Sequence, residues 1–104
     1  MRFSREKLLE LCERFCFDGR LLEKDVSQLS GGEKQRAAVI SALLLERPIY
    51  LFDEPTSEMD SHSREVFAEI IKEAGFTAVI VSHEQAMIDS ADMVVRMTER
   101  GSIR

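Results

Sequence analysis

At 104 residues the chain has room for one small domain or for a piece of a larger one. Its 44% hydrophobic content is that of a globular protein, and its formal net charge of -5 argues against a general nucleic-acid binder or a polybasic membrane-surface segment. No apolar run approaches the ~20 residues of a membrane span. Met1-Arg2-Phe3-Ser4-Arg5-Glu6-Lys7 leads into a charged amphipathic segment and not a secretory core, so a cytoplasmic location is expected.

Ser4 is placed to cap a helix running to about Phe17, with Leu8, Leu11, Cys12, Phe15 and Cys16 at helical spacing and Asp18-Gly19 as its end. Cys12 and Cys16 have no further ligands at metal-binding spacing and read as core. A polar connector with room for a helical turn follows, from Arg20 to Gln28.

Leu29-Ser30-Gly31-Gly32-Glu33-Lys34-Gln35-Arg36 is the most informative stretch. Ser30 with Glu33 three residues on has the capping-box spacing, which opens a helix predicted from about Gly32 to Glu46. Two glycines in its first turn leave the backbone N–H groups uncovered at the positive end of the helix dipole. That arrangement suits an anion such as phosphate. An ordinary capped helix is the alternative for the four-residue spacing alone. Pro48 then stops the helix.

Ile49-Tyr50-Leu51-Phe52 is a continuous apolar run ending in Asp53-Glu54-Pro55. Unbroken apolarity predicts a strand buried on both faces of a parallel sheet, and its carboxyl end is where open α/β sheets place ligands. A helix is predicted to start between Asp60 and Ser63, with Val66, Phe67, Ile70, Ile71 and Ala74 inward and Gly75 closing it. Thr77 to Ser82 reads as a second buried strand with His83 directly after it. Glu84 to about Ser90 reads as a short helix, Met93 to Met97 as a third strand and Arg100-Gly101 as a turn. The order predicts an α/β fold.

An acid at a strand terminus can hold Mg²⁺, and a second acid beside it can orient and deprotonate an attacking water. Asp53 and Glu54 are the candidates for those roles. His62 has no such context and reads as part of a solvated helix start.

Taken together, these stretches resemble the ATP-binding cassette (ABC) ATPases. Residues 29–36 are similar to the family's signature motif, Ile49 to Glu54 to its Walker B strand with the catalytic glutamate, and Ser57 to Asp60 to its D-loop, with Met59 where leucine is usual. His83 stands at the position of its switch histidine. The resemblance implies a P-loop NTPase-like parallel sheet with flanking helices, ATP and Mg²⁺ as cofactors, and head-to-tail pairing with a second nucleotide-binding domain, as a homo- or heterodimer. It implies that Ser30, Gly31 and Gly32 contact the ATP of the opposite subunit. Asp53 as the metal ligand, and Glu54 and His83 as catalytic groups, would serve this subunit's own nucleotide, and Asp60 would lie near the dimer seam. A permease partner at the membrane is implied, and no direct nucleic-acid contact.

No G-x-x-x-x-G-K-[ST] phosphate loop occurs in these residues. The resemblance therefore implies the C-terminal half of a nucleotide-binding domain, inactive by itself. Residues 1–47 would be helical subdomain with the signature helix and 48–104 part of the ATPase core. Without the phosphate-loop strand, open apolar edges are expected to make the chain marginally stable or self-associating. A non-catalytic half-cassette module or truncated remnant is the alternative, and a DNA-repair or chromosome-maintenance ATPase ranks third.

Overall fold

The computed structural model describes residues 4–73 and 75–96. Its elements are α1 (Arg5–Arg14), α2 (Gly31–Leu44), β1 (Ile49–Asp53), α3 (Ser61–Glu73), β2 (Thr77–Val81) and α4 (Gln85–Ser90), with two short 3₁₀ turns, Gly19–Glu23 and Val26–Gln28, between α1 and α2. Ala74, Met97 and the expected turn at Arg100-Gly101 lie outside the described residues.

Ser4 caps α1, its hydroxyl accepting from the Lys7 N–H at 3.2 Å. The helix ends earlier than its apolar spacing predicts, because Cys16 takes the left-handed conformation, φ 51°. The Cys16 N–H then donates to the Glu13 carbonyl and the Phe17 N–H to the Cys12 carbonyl, the paired bonds of a Schellman ending. That turn exposes Cys16 and returns Phe17 to the core beside Phe15 and Cys12. Only Cys12 of the two expected core cysteines is buried, and burial pushes its thiol pKa up. Asp18 opens the first 3₁₀ turn by accepting from the Arg20 N–H, and hydrogen bonds from Arg20 hold its carboxyl at about 2.

β1 and β2 pair in parallel, Ile49 opposite Thr77 through Asp53 opposite Val81, with α3 as the crossover. Tyr50 and Phe52 turn inward and stack on each other at 5.5 Å, and Phe67 of α3 meets Phe52 edge-on at 5.3 Å. Val66, Phe67 and Ile70 are the buried stripe of α3, with Ile71 half-buried at its margin. Phe15 and Phe67 are fully buried, and truncating either to alanine costs about 3–5 kcal/mol.

Two expectations fail here. The apolar run predicts burial on both sheet faces, yet Ile49 is 66% and Leu51 75% exposed, with Val79 and Val81 half-exposed beside them. α3 packs on one face, and among the described residues nothing covers the other. Nor do residues 93–96 form a strand; the sheet described has two strands, and Met93, Val94 and Val95 are exposed. An apolar, β-branched run becomes a strand only where a neighbouring edge completes its hydrogen bonds.

Candidate functional site

The carboxyl ends of β1 and β2 stand side by side and carry the acids and the histidine. The strand ladder continues one residue past β1, where the Glu54 N–H donates to the Val81 carbonyl at 2.7 Å. Glu54 then takes the left-handed conformation, φ 48°, an uncommon backbone for a residue with a side chain and one that recurs at active sites. Its carboxylate lies 3.3 Å from His83 Nε2, an ion pair whenever the imidazole is protonated. Glu54 is partly covered, whereas His83 is almost wholly exposed and free to meet an incoming group. Asp53 is exposed on the bare sheet face, in line with Ile49 and Leu51.

The loop after Glu54 is held from two sides. On one, Thr56 is fully buried and its hydroxyl donates to Glu84 Oε1 at 3.0 Å; Glu84 Oε2 lies 3.5 Å from Arg64 of α3, and the Glu84 N–H donates to the Ser82 hydroxyl. On the other, Gln35 of α2 donates to the Glu54 carbonyl at 2.9 Å and to the Ser57 hydroxyl at 3.1 Å. It accepts from the Glu58 N–H at 2.7 Å. Asp60 ends the loop by accepting from the Ser63 N–H at 2.8 Å, and that bond holds its carboxyl below the usual range. Asp60 therefore has a helix-capping job in this chain.

Both arms of the expected capping box form at the start of α2. The Ser30 hydroxyl accepts from the Glu33 N–H at 3.1 Å and Glu33 Oε1 accepts from the Ser30 N–H at 2.9 Å. That bond keeps the Glu33 carboxyl below its ordinary value. The N–H groups of Gly31 and Gly32 are in the first turn and have no intrahelical acceptor. The glycines have a second reason to be there. A Cβ on Gly32 would stand 2.9 Å from the Glu58 carbonyl oxygen, and one on Gly31 3.0 Å from Glu58 Oε2. Lacking them, α2 packs directly on the loop, and the Glu58 carboxylate rests beside the positive end of the helix.

Farther along α2, Arg36 donates to the carbonyls of Phe15 and Cys16 and lies over the Phe17 ring, which locks the helix to the end of α1. His62 is exposed, as expected, and its Nε2 lies 3.2 Å from the Arg14 carbonyl.

The structure thus joins Glu54 with His83 and ties Glu54, through Gln35, to the helix that begins at Ser30, Gly31 and Gly32. Gln35, Thr56 and Glu84 are the partners that motif spacing did not single out. For Gln35 the signal was available: it lies three and four residues after the glycines, on their face of the helix.

The family model for ABC transporters matches residues 3–57, more than half of the chain and the whole span from α1 through the acids. The chain belongs to the ABC transporter family. Among relatives, it is 39% identical over 85 residues to the lipoprotein-releasing system ATP-binding protein LolD of Anaeromyxobacter dehalogenans, covering 78% of this chain and 36% of that protein. It is 35% identical over 101 residues to the macrolide export ATP-binding/permease protein MacB of Vibrio parahaemolyticus, covering 94% and 15% respectively. Among solved structures, a dimeric bacterial ABC transporter cassette superimposes with a TM-score of 0.70 at 29% identity, over 88% of this chain and 43% of that one. This ABC-family chain therefore spans about a third of the LolD relative's length, and its fold is a part of the P-loop NTPase cassette.

The donor set also bears on a metal. No group of three or more His, Cys, Asp or Glu side chains among the described residues could cage an ion. Exposed Asp53 with Glu54 beside it fits Mg²⁺, which keeps its waters and is held by one or two carboxylates plus phosphate oxygens.

Proposed function

We propose that this chain is the signature- and acid-bearing part of an ABC ATP-binding subunit, in which ATP is hydrolysed at a site shared between two cassettes to drive transport through a membrane permease. The observation that carries this reading is the Glu54–His83 pair, 3.3 Å apart at the carboxyl edge of a parallel sheet and tied through Gln35 to the open first turn of α2. Residues 1–47 would form the helical part and 48–104 the ATPase part.

Glu54 accepts a hydrogen bond from the attacking water and takes its proton, which is work for a partly covered carboxylate whose backbone is pinned on both sides. His83, exposed beside it, donates to the terminal phosphate. The Gly31 and Gly32 N–H groups and the Ser30 hydroxyl bind the phosphates of an ATP held by the opposite cassette. Asp53 would hold Mg²⁺, which when bound neutralises charge on the phosphate oxygens. Asp60 lies near the seam between cassettes. No described helix is long and apolar enough to cross a membrane.

Calorimetry of Mg-ATP binding by the chain, alone and with a complete cassette, tests the proposal. Binding and hydrolysis that need the added cassette support it. Tight binding by the chain alone would mean that a phosphate site exists outside the motifs named, and binding without hydrolysis in the mixture would favour a non-catalytic half-cassette module.

A further inference from the structure

We propose that Gln35 is a positioning residue that couples the first turn of α2 to the carboxylate of Glu54. The inference rests on the reading of Glu54 as the acid that acts on water. Gln35 is half-buried between α2 and the loop, and both ends of its amide are engaged by that loop. The Glu54 carbonyl can only accept and the Glu58 N–H can only donate, so the orientation of the amide is fixed by its partners.

The arrangement leaves Glu54 little freedom. Its N–H is committed to Val81 of β2, and its carbonyl accepts from both Gln35 and the Ser57 hydroxyl. The left-handed φ of 48° is thus held from the sheet on one side and from α2 on the other. One turn before Gln35, Gly32 lies directly against the Glu58 carbonyl, so α2 and the loop have no slack between them. A ligand or partner that draws the start of α2 away from the loop pulls on the Glu54 carbonyl. The sheet holds the other end of the residue, so Glu54 rotates and its carboxylate moves relative to His83. Occupancy at the α2 turn is in this way felt at the acid.

The test uses the 104-residue chain with two substitutions. Gln35→Glu is isosteric and keeps the acceptor for the Glu58 N–H but loses the donor for the Glu54 carbonyl; Gln35→Met loses both. Hydrogen exchange at the Glu58 amide is expected to stay within about twofold of wild type in Gln35→Glu and to rise about tenfold in Gln35→Met. In both, the ring signals of His83 are expected to shift in the NMR spectrum, whereas a purely local change would stop at Ser57 and Glu58. With the phosphate-loop half of a cassette added to complete this chain's own nucleotide site, and a complete cassette opposite, Gln35→Glu is expected to lower kcat about tenfold with KM for ATP within about twofold. His83 signals unmoved in both variants would overturn the coupling, whether or not the mixture hydrolyses ATP. Moved signals with kcat unchanged in a hydrolysing mixture would overturn the positioning role. Moved signals in a wild-type mixture that hydrolyses nothing would uphold the coupling and remove the functional reading instead.

Discussion

The Cβ that Gly32 lacks would stand 2.9 Å from the carbonyl oxygen of Glu58, a backbone atom that cannot step aside. At Gly31 the corresponding neighbour is only the end of the Glu58 side chain, which can. The two glycines therefore differ in what they tolerate. Gly32→Ala is expected to destabilise the chain by about 1–3 kcal/mol through overpacking against the loop. Gly31→Ala is expected to change stability by no more than about 0.5 kcal/mol. Urea unfolding of the two variants checks this, and equal losses would mean that the loop yields at Glu58.

The capping box gives a pH signature. Accepting the Ser30 N–H lowers the Glu33 carboxyl in the folded state. A depressed carboxyl contributes stability above its ordinary range and loses it as pH falls through the folded value. Wild type is therefore expected to lose stability on acidification below about pH 4.3 more steeply than Glu33→Gln, which caps without titrating. Parallel urea midpoints for the two at every pH would remove Glu33 from the account. Ser30→Ala should cost about 1 kcal/mol at all pH values.

That helix start was legible in advance because a capping box is a local pattern. Ser30 and Glu33 need only each other. The same holds for Asp53 and Glu54 at the end of an apolar run. The contact between Glu54 and His83, 29 positions apart, depends on which residues of β1 and β2 face each other, and no local pattern states a register. Cys16 shared the apolar spacing of α1 but took the left-handed turn that ends the helix, a decision made by the burial of Phe17 beyond it. The run at 93–96 has strand composition without a strand, since composition does not supply a partner edge. The expectation of a sheet covered on both sides assumed a second layer of packing that the described residues do not include.

Glu54→Gln separates capture of nucleotide from its hydrolysis. The amide keeps the shape of the side chain and loses the ability to take a proton. With the phosphate-loop half of a cassette added to complete this chain's own nucleotide site, hydrolysis there is expected to fall about 10²–10⁴-fold while ATP affinity stays near that of wild type. A variant that hydrolyses at the wild-type rate would show that another group takes the proton.

Ile49, Leu51, Val79 and Val81 form a continuous apolar surface on the bare sheet face. Contiguous exposed apolar surface favours association. The isolated chain is expected to self-associate across the micromolar range, and Leu51→Lys to move it toward monomer. Because Leu51 is 75% exposed, that substitution should change stability by about 0.5 kcal/mol or less. Analytical ultracentrifugation reads the outcome, and a wild-type chain that stays monomeric throughout would refute it.

The parallel register pairs Asp53 with Val81 and brings Glu54 onto the Val81 carbonyl. A slip of one residue would send Tyr50 and Phe52 outward to the side now held by Ile49 and Leu51. The same slip would carry Glu54 about 3.3 Å along its strand relative to His83, out of the present contact. Misaligned chains therefore lose their core and the Glu54–His83 contact in a single step, so a sound hydrophobic interior doubles as proof-reading for that pair.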